Sequence, residues 1–168
     1  MKNMKFFLTL FLSNLLFLNS TACYGYYINL NAETENFFNK KIQKFLKTSN
    51  GQDFLGYVNR HQANLFETII KQLRGFNQHN DRDETDCCRA CYYIKLLHDK
   101  QFKFSQENKK TILTALQILT TWFIRNSPLP ADMDEAEALF RGFDFKTLFI
   151  ENPTTVKPSK TSKHCTIL

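Results

Sequence analysis

The sequence predicts an all-α protein: a single compact bundle of five to six helices with a disordered basic C-terminal tail. Three observations carry this. Apolar residues return every three or four positions through most of the chain, the spacing of one buried helical face. Only 5 Gly and 4 Pro in 168 residues leave too few tight turns for a small sandwich or barrel. No segment alternates apolar and polar residues in the manner of a half-buried strand. A composition that is 43% hydrophobic and 23% charged supplies a core, and the length suits one domain rather than two.

Residues 1–22 read as an export signal. Lys2 and Lys5 precede a nearly unbroken apolar run from Phe6 to Leu18, and Ser20 and Ala22 fit cleavage before Cys23. The run is short for a membrane span, which needs roughly 20 residues. Its removal takes away two lysines and leaves 146 residues with a net charge of +4. Lys and Arg are interspersed with Asp and Glu up to the tail, so nucleic-acid binding is not expected. No later apolar run reaches spanning length, so no membrane insertion of the mature chain is expected either.

The helices follow in order. Asn31 is a plausible N-cap for a helix in which Phe37, Phe38, Ile42, Phe45 and Leu46 form the apolar face, with Lys40, Lys41, Lys44 and Lys47 on a basic exposed side. Thr48-Ser49-Asn50-Gly51 ends that pattern. A second run holds Phe54, Leu55, Val58, Leu65, Phe66, Ile69, Ile70 and Leu73 and stops at Gly75; Gly56 leaves open whether it is one helix or two. Residues 75–84 lack a period and read as loop. Asp86–His98 reads as the next helix, and Ser105 precedes another through Lys109–Ile124. Asn126-Ser127-Pro128-Leu129-Pro130 breaks the chain. The last helix is expected from about Asp132, through Gly142, to Asn152, with Asp132, Asp134, Glu135 and Glu137 complementing its positive end. The domain is thus expected over 23–152 and a flexible tail over 153–168.

All five cysteines lie beyond the export signal, where disulfides persist. On a helix, Cys87 and Cys91 share a face and Cys88 points about 100° away. The Cys88–Cys91 spacing resembles a redox dithiol but lacks the surrounding strands such motifs use. A zinc site joining the three thiolates with His79 or His98 lacks a second cysteine pair. Structural bridges are the expectation. Bridges within one helix are strained, so the partners available are Cys23 and Cys165, with one of Cys87, Cys88 and Cys91 left over. A Cys23–Cys88 bridge closes a loop of about 65 residues, a stabilisation of roughly 4 kcal/mol in the chain-entropy model. Cys165-Thr166-Ile167-Leu168 also fits a prenylation box behind Lys157, Lys160 and Lys163, a modification that export precludes. The four histidines fall in separate segments and no catalytic motif is present. No catalytic residue, cofactor or metal is therefore expected.

Two stretches resemble a known family. Asp86-Cys87-Cys88-Arg89-Ala90-Cys91-Tyr92-Tyr93-Ile94-Lys95-Leu96-Leu97-His98-Asp99-Lys100-Gln101-Phe102-Lys103 resembles the Cys-Cys-led helix of the interleukin-10 family, in the manner of the interleukin-19, interleukin-20 and interleukin-22 branch. Ala138-Leu139-Phe140-Arg141-Gly142-Phe143-Asp144-Phe145-Lys146-Thr147-Leu148-Phe149-Ile150-Glu151 is similar to that family's last helix. The family's further cysteines between these helices are absent from residues 104–164, so its bridge pattern does not transfer. The resemblance implies a secreted helical cytokine, monomer or homodimer, that binds and assembles class II cytokine receptor chains in an immune response. It implies receptor contacts from the first helix, carried here by Lys40, Lys41 and Lys44, and from the last, carried by Arg141 and Asp144. The alternative is an exported microbial or parasite helical protein, held at a membrane by lipid on Cys23 or Cys165.

Overall fold

Every helix but two begins at a side chain that takes up an otherwise orphaned backbone N–H. The computed structural model describes the backbone of residues 24–153 and the side chains of residues 25–151. Strand β1 (Tyr24–Ile28) leads into helix α1 (Ala32–Leu46), where Asn31 Oδ1 accepts from Thr34 N at 2.9 Å. Thr48 then does two things at once. Its hydroxyl donates to Phe45 O, closing α1, and accepts from Gly51 N, opening α2 (Ser49–Arg60). A Cβ at Gly51 would lie 2.2 Å from Phe45 O, so this abrupt junction admits only glycine. The segment expected simply to end a helix is a hinge between two.

A short 3-10 turn (Gln62–Asn64) separates α2 from α3 (Leu65–Gln78), so the run around Gly56 is two helices, and α3 continues past Gly75. Asp83 caps α4 (Glu84–Asp99) by accepting from Asp86 N at 2.8 Å. Gln101, at φ 50°, turns the chain out of α4. Ser105 caps the 21-residue α5 (Gln106–Asn126), and Pro130 sits in the first turn of α6 (Pro130–Phe140), where its missing N–H costs nothing.

The C-terminal part departs from expectation. Helix α6 stops at Phe140, and Gly142 follows in the left-handed region at φ 75°, a common way to terminate a helix. A second 3-10 turn (Phe145–Leu148) begins where Asp144 Oδ1 accepts from Lys146 N, and strand β2 (Phe149–Pro153) follows. The single helix expected over 132–152 is therefore a helix, a turn and a strand. Strands β1 and β2 pair into a two-stranded sheet, and Tyr26 also bridges Phe104 antiparallel. No strand was expected. These strands are short and cap one end of an all-α bundle of six helices.

Gly25–Asn152 form one compact unit. Helix α4 lies at its centre, packed on α1, α3 and α5, and buries Cys87, Cys88, Ala90, Cys91, Tyr93, Ile94 and Leu97. Phe37 of α1 meets Phe123 of α5 and Phe140 of α6 edge-to-face at 5.3 and 5.4 Å. Phe54 of α2 meets Tyr92 and Tyr93 of α4 at 5.3 Å each. Such pairs contribute about 0.5–1.5 kcal/mol each beyond the area they bury. The export segment, Cys23, Cys165 and the tail beyond Pro153 lie outside the described residues.

Candidate functional site

Of the residues singled out for receptor contact, Lys40 and Lys41 lie on the seam between α1 and α6. Lys40, 62% exposed, reaches Glu135 of α6 at 2.6 Å. That hydrogen bond and the carboxylate's charge raise the lysine pKa. Around this pair, Glu33, Asn36 and Phe37 of α1 and Ala138 and Leu139 of α6 line an open groove. One turn on, Lys44 leaves the seam and pairs with Glu84 at the start of α4 at 3.1 Å.

Lys41 corrects the reading of α1. It lies on the apolar face with Phe37, Phe38, Ile42 and Phe45, its side chain is 2% exposed, and its ammonium pairs with Asp132 of α6 at 2.5 Å. The rings of Phe37 and Phe123 hold the same ammonium at 5.1 and 5.2 Å. Its position in the helical period is a core position, and lysine's usual exposure hid it. Asp132, read as a helix-dipole acid, is its counter-ion. Lys41 is thus an internal strut between the first and last helices and not part of the exposed surface.

At the far end of α6, Arg141 is 80% exposed and pairs with Glu137 one turn back. Asp144 is also exposed, but its carboxylate caps the turn that follows and its carbonyl accepts from the Thr147 hydroxyl at 2.7 Å. Asp144 therefore has a structural task of its own. Of the five residues, Lys40, Lys44 and Arg141 present charge on the surface, while Lys41 and Asp144 hold the fold around them.

Cys87, Cys88 and Cys91 are all free thiols, buried between helices. Burial pushes each thiol up, Cys88 to about 12. Neighbouring charge adds to it: the other cluster sulfurs act on Cys87 and Cys91, and Glu84 acts on Cys88. A reactive dithiol needs the opposite shift, so Cys88–Cys91 is a poor nucleophile pair in this fold. The pairing expected with Cys23 and Cys165 falls on residues outside those described.

Among the described residues, the metal-type side chains that converge within 4.8 Å are Glu35, His98 and Asp99, not the cysteines. Lys95 fills that convergence, with its ammonium 3.0 Å from Glu35 and 2.7 and 2.9 Å from the Asp99 oxygens. Burial lowers the Lys95 pKa, but these carboxylates outweigh it and the net shift is upward. His98 Nδ1 accepts from Leu30 N at 3.3 Å, bracing the link between β1 and α1. This group joins α1, α4 and the β1–α1 link as an ion-pair network. The sequence reading missed it because its members lie 60 residues apart along the chain. Compared with known proteins, the chain matches no protein-family model, no curated protein and no solved structure.

Proposed function

We propose that this protein is a secreted helical cytokine of interleukin-10 type, which acts by binding and assembling class II cytokine receptor chains. The observation that carries the reading is the placement of the stretch 86–103. Its helical part, within α4, is unbroken, and its cysteines and apolar residues supply the middle of the core. Its Asp99-to-Lys103 end turns out of the helix as Phe102 packs on Phe66 at 5.5 Å. A cysteine-led central helix with that ending is what the resemblance implies. The stretch 138–151 gives less support, since it is not one helix. The reading is of a ligand that works through surface rather than chemistry, and the buried, proton-retaining thiols favour it.

The receptor-facing charges in this proposal are Lys40 and Lys44 on α1 and Arg141 at the end of α6. In the lipid-anchored alternative, mass spectrometry of the mature protein would find an acyl or prenyl group on Cys23 or Cys165. The direct test measures binding of the purified full-length secretion product to a panel of class II receptor ectodomains by surface plasmon resonance. Saturable binding to at least one ectodomain is expected, weakened about tenfold by Arg141→Glu or by Lys40→Glu, given the concentration of interface energy in a few anchors. No binding across the panel by a correctly folded product overturns the proposal.

A further inference from the structure

All 16 acidic residues and 17 of the 22 Lys and Arg lie within residues 25–151; the other five are Lys2, Lys5, Lys157, Lys160 and Lys163. The described body is therefore nearly neutral, yet its charges are sorted. Around the start of α4, Asp81, Asp83, Glu84 and Asp86 crowd into six residues. At the opposite end of α4, the turn into α5 carries Lys100, Lys103, Lys109 and Lys110 within eleven residues.

Several contacts tie this turn and the start of α5 to their neighbours. The Lys103 alkyl chain lies against Gly25 of β1, and the Lys109 ammonium sits 4.2 Å over the Tyr26 ring and 5.4 Å over that of Phe149. From α3, Phe66 packs on Phe102 with the rings tilted, while Arg74 reaches Glu107 and Asn108 at 2.8 and 3.2 Å. Lys71 is exposed between those two contacts along α3.

Most of the other lysines treated above have carboxylate partners: Lys40, Lys41, Lys44 and Lys95 all do. Among the described residues, Lys71, Lys100, Lys103, Lys109 and Lys110 have none within ion-pair distance. The acids nearby are few. Asp99, next to Lys100, is held by Lys95, Glu107 is taken by Arg74, Glu67 lies one turn from Lys71, and Glu151 accepts from the Tyr26 hydroxyl at 3.4 Å. Leaving like charges together without counter-ions raises the local potential, and nothing in the packing of Lys100 or Lys110 requires it. An unneutralised cation cluster of this kind attracts polyanions.

We propose that this face, formed by the α4–α5 turn with β1 and α3, binds a sulfated polysaccharide. The aromatic rings beneath it (Tyr26, Phe104 and Phe149) are buried, so no exposed ring from this set offers a stacking platform for bases. Ammonium groups on flexible stems suit sulfate esters, which need charge and little geometry. The choice of an extracellular polyanion rests on the export proposed above; the charge argument does not.

The experiment uses heparin as the probe, with full-length secreted protein. Lys100→Gln/Lys103→Gln/Lys110→Gln removes three exposed charges from the face, and Lys47→Gln/Arg60→Gln/Arg125→Gln removes three exposed charges elsewhere. The first set is expected to weaken heparin binding about tenfold or more at physiological salt and the second by less than about threefold, because contacts with the polyanion set the salt-dependent term. In the wild-type protein, bound heparin should shield Lys100, Lys103 and Lys110 from acetylation and leave Lys47 labelled, a readout that needs no variant. Equal losses in the two variants, or equal labelling with and without heparin, overturn the proposal. Tighter binding to duplex DNA than to heparin through the same lysines overturns the assignment of the partner. Neither result bears on receptor binding, which is measured separately.

Discussion

Helices α4 and α6 are held in the same bundle by different means. Helix α4 buries seven side chains along its length, all of them apolar, thiol or phenol. Helix α6 buries three, Asp132, Ala136 and Phe140, and one of those is a carboxylate. A helix docked along a continuous apolar stripe loses a little stability at each altered contact. A helix docked by one buried ion pair, one alanine and one ring has its attachment concentrated in a few places. The comparison teaches where the fold is fragile: on the side that carries Lys40 and Arg141.

The largest effect follows from that concentration. Asp132→Ala leaves the Lys41 ammonium buried among Phe37 and Phe123 with no counter-ion, and Lys41→Ala strands the carboxylate in turn. Breaking a buried pair by removing one partner costs about 3–5 kcal/mol, whereas replacing both partners with apolar groups is often neutral. Each single variant should therefore lower the unfolding free energy from urea titration by that amount and raise hydrogen exchange in α6 before α4. Lys41→Met/Asp132→Leu should recover most of the loss. Lys40→Ala, one residue away and exposed, should change stability by less than about 1 kcal/mol. A double variant as unstable as the singles would show that the pair is not what docks α6.

Alkaline pH probes the other helix. The buried thiols of α4 hold their protons more tightly in the folded chain than in the unfolded one, Cys88 with a folded value of about 12 against 9.0. A raised acid binds more protons when folded, so its stabilisation is complete below pH 9 and drains away as pH climbs towards the folded value. Each such thiol should steepen the loss of stability above pH 9 by about 1.4 kcal/mol per pH unit. Denaturant midpoints measured from pH 8 to 10.5 should fall along that slope, and Cys88→Ala should flatten it. A pH-independent midpoint across this range would mean that the thiols are not held protonated in the native core.

Much of this architecture is legible in sequence because its signals are local. Asn31 and Ser105 cap the helices that begin after them, and the Pro-rich break after Asn126 separates α5 from α6. The errors arise where tertiary context decides. Lys41 has the helical phase of a core residue, but only the approach of Asp132 from the far end of the chain makes that position tenable. Strand β1 is five residues long, too short for a periodic signal, and exists through its pairing with β2 and Phe104. Of the candidate site, the exposure of Lys40 follows from helical phase, whereas Arg141 lies just past the end of α6. The seam between α1 and α6 and the interior place of Lys41 depend on which helices meet, while the capping task of Asp144 is local and is hidden only because the stretch reads as continuous helix.

Gly142 offers the smallest effect and the sharpest test of how the C-terminal stretch differs from α4. If residues 138–151 formed one helix, Gly142→Ala would stabilise the protein by about 0.5–1 kcal/mol, since alanine is the better helix former. In the structure Gly142 instead sits at φ 75° with open space around any added Cβ, so sterics with neighbours are not at issue and the backbone conformation alone decides. A left-handed alanine costs about 1–2 kcal/mol. The two architectures therefore predict opposite signs for a single methyl group. A lowered midpoint for Gly142→Ala, with Gly75→Ala in the interior of α3 moving the other way under the same conditions, would place the break in the chain where the structure has it. A raised midpoint would extend α6 through Asp144 and make the stretch 138–151 the continuous last helix that its resemblance implies.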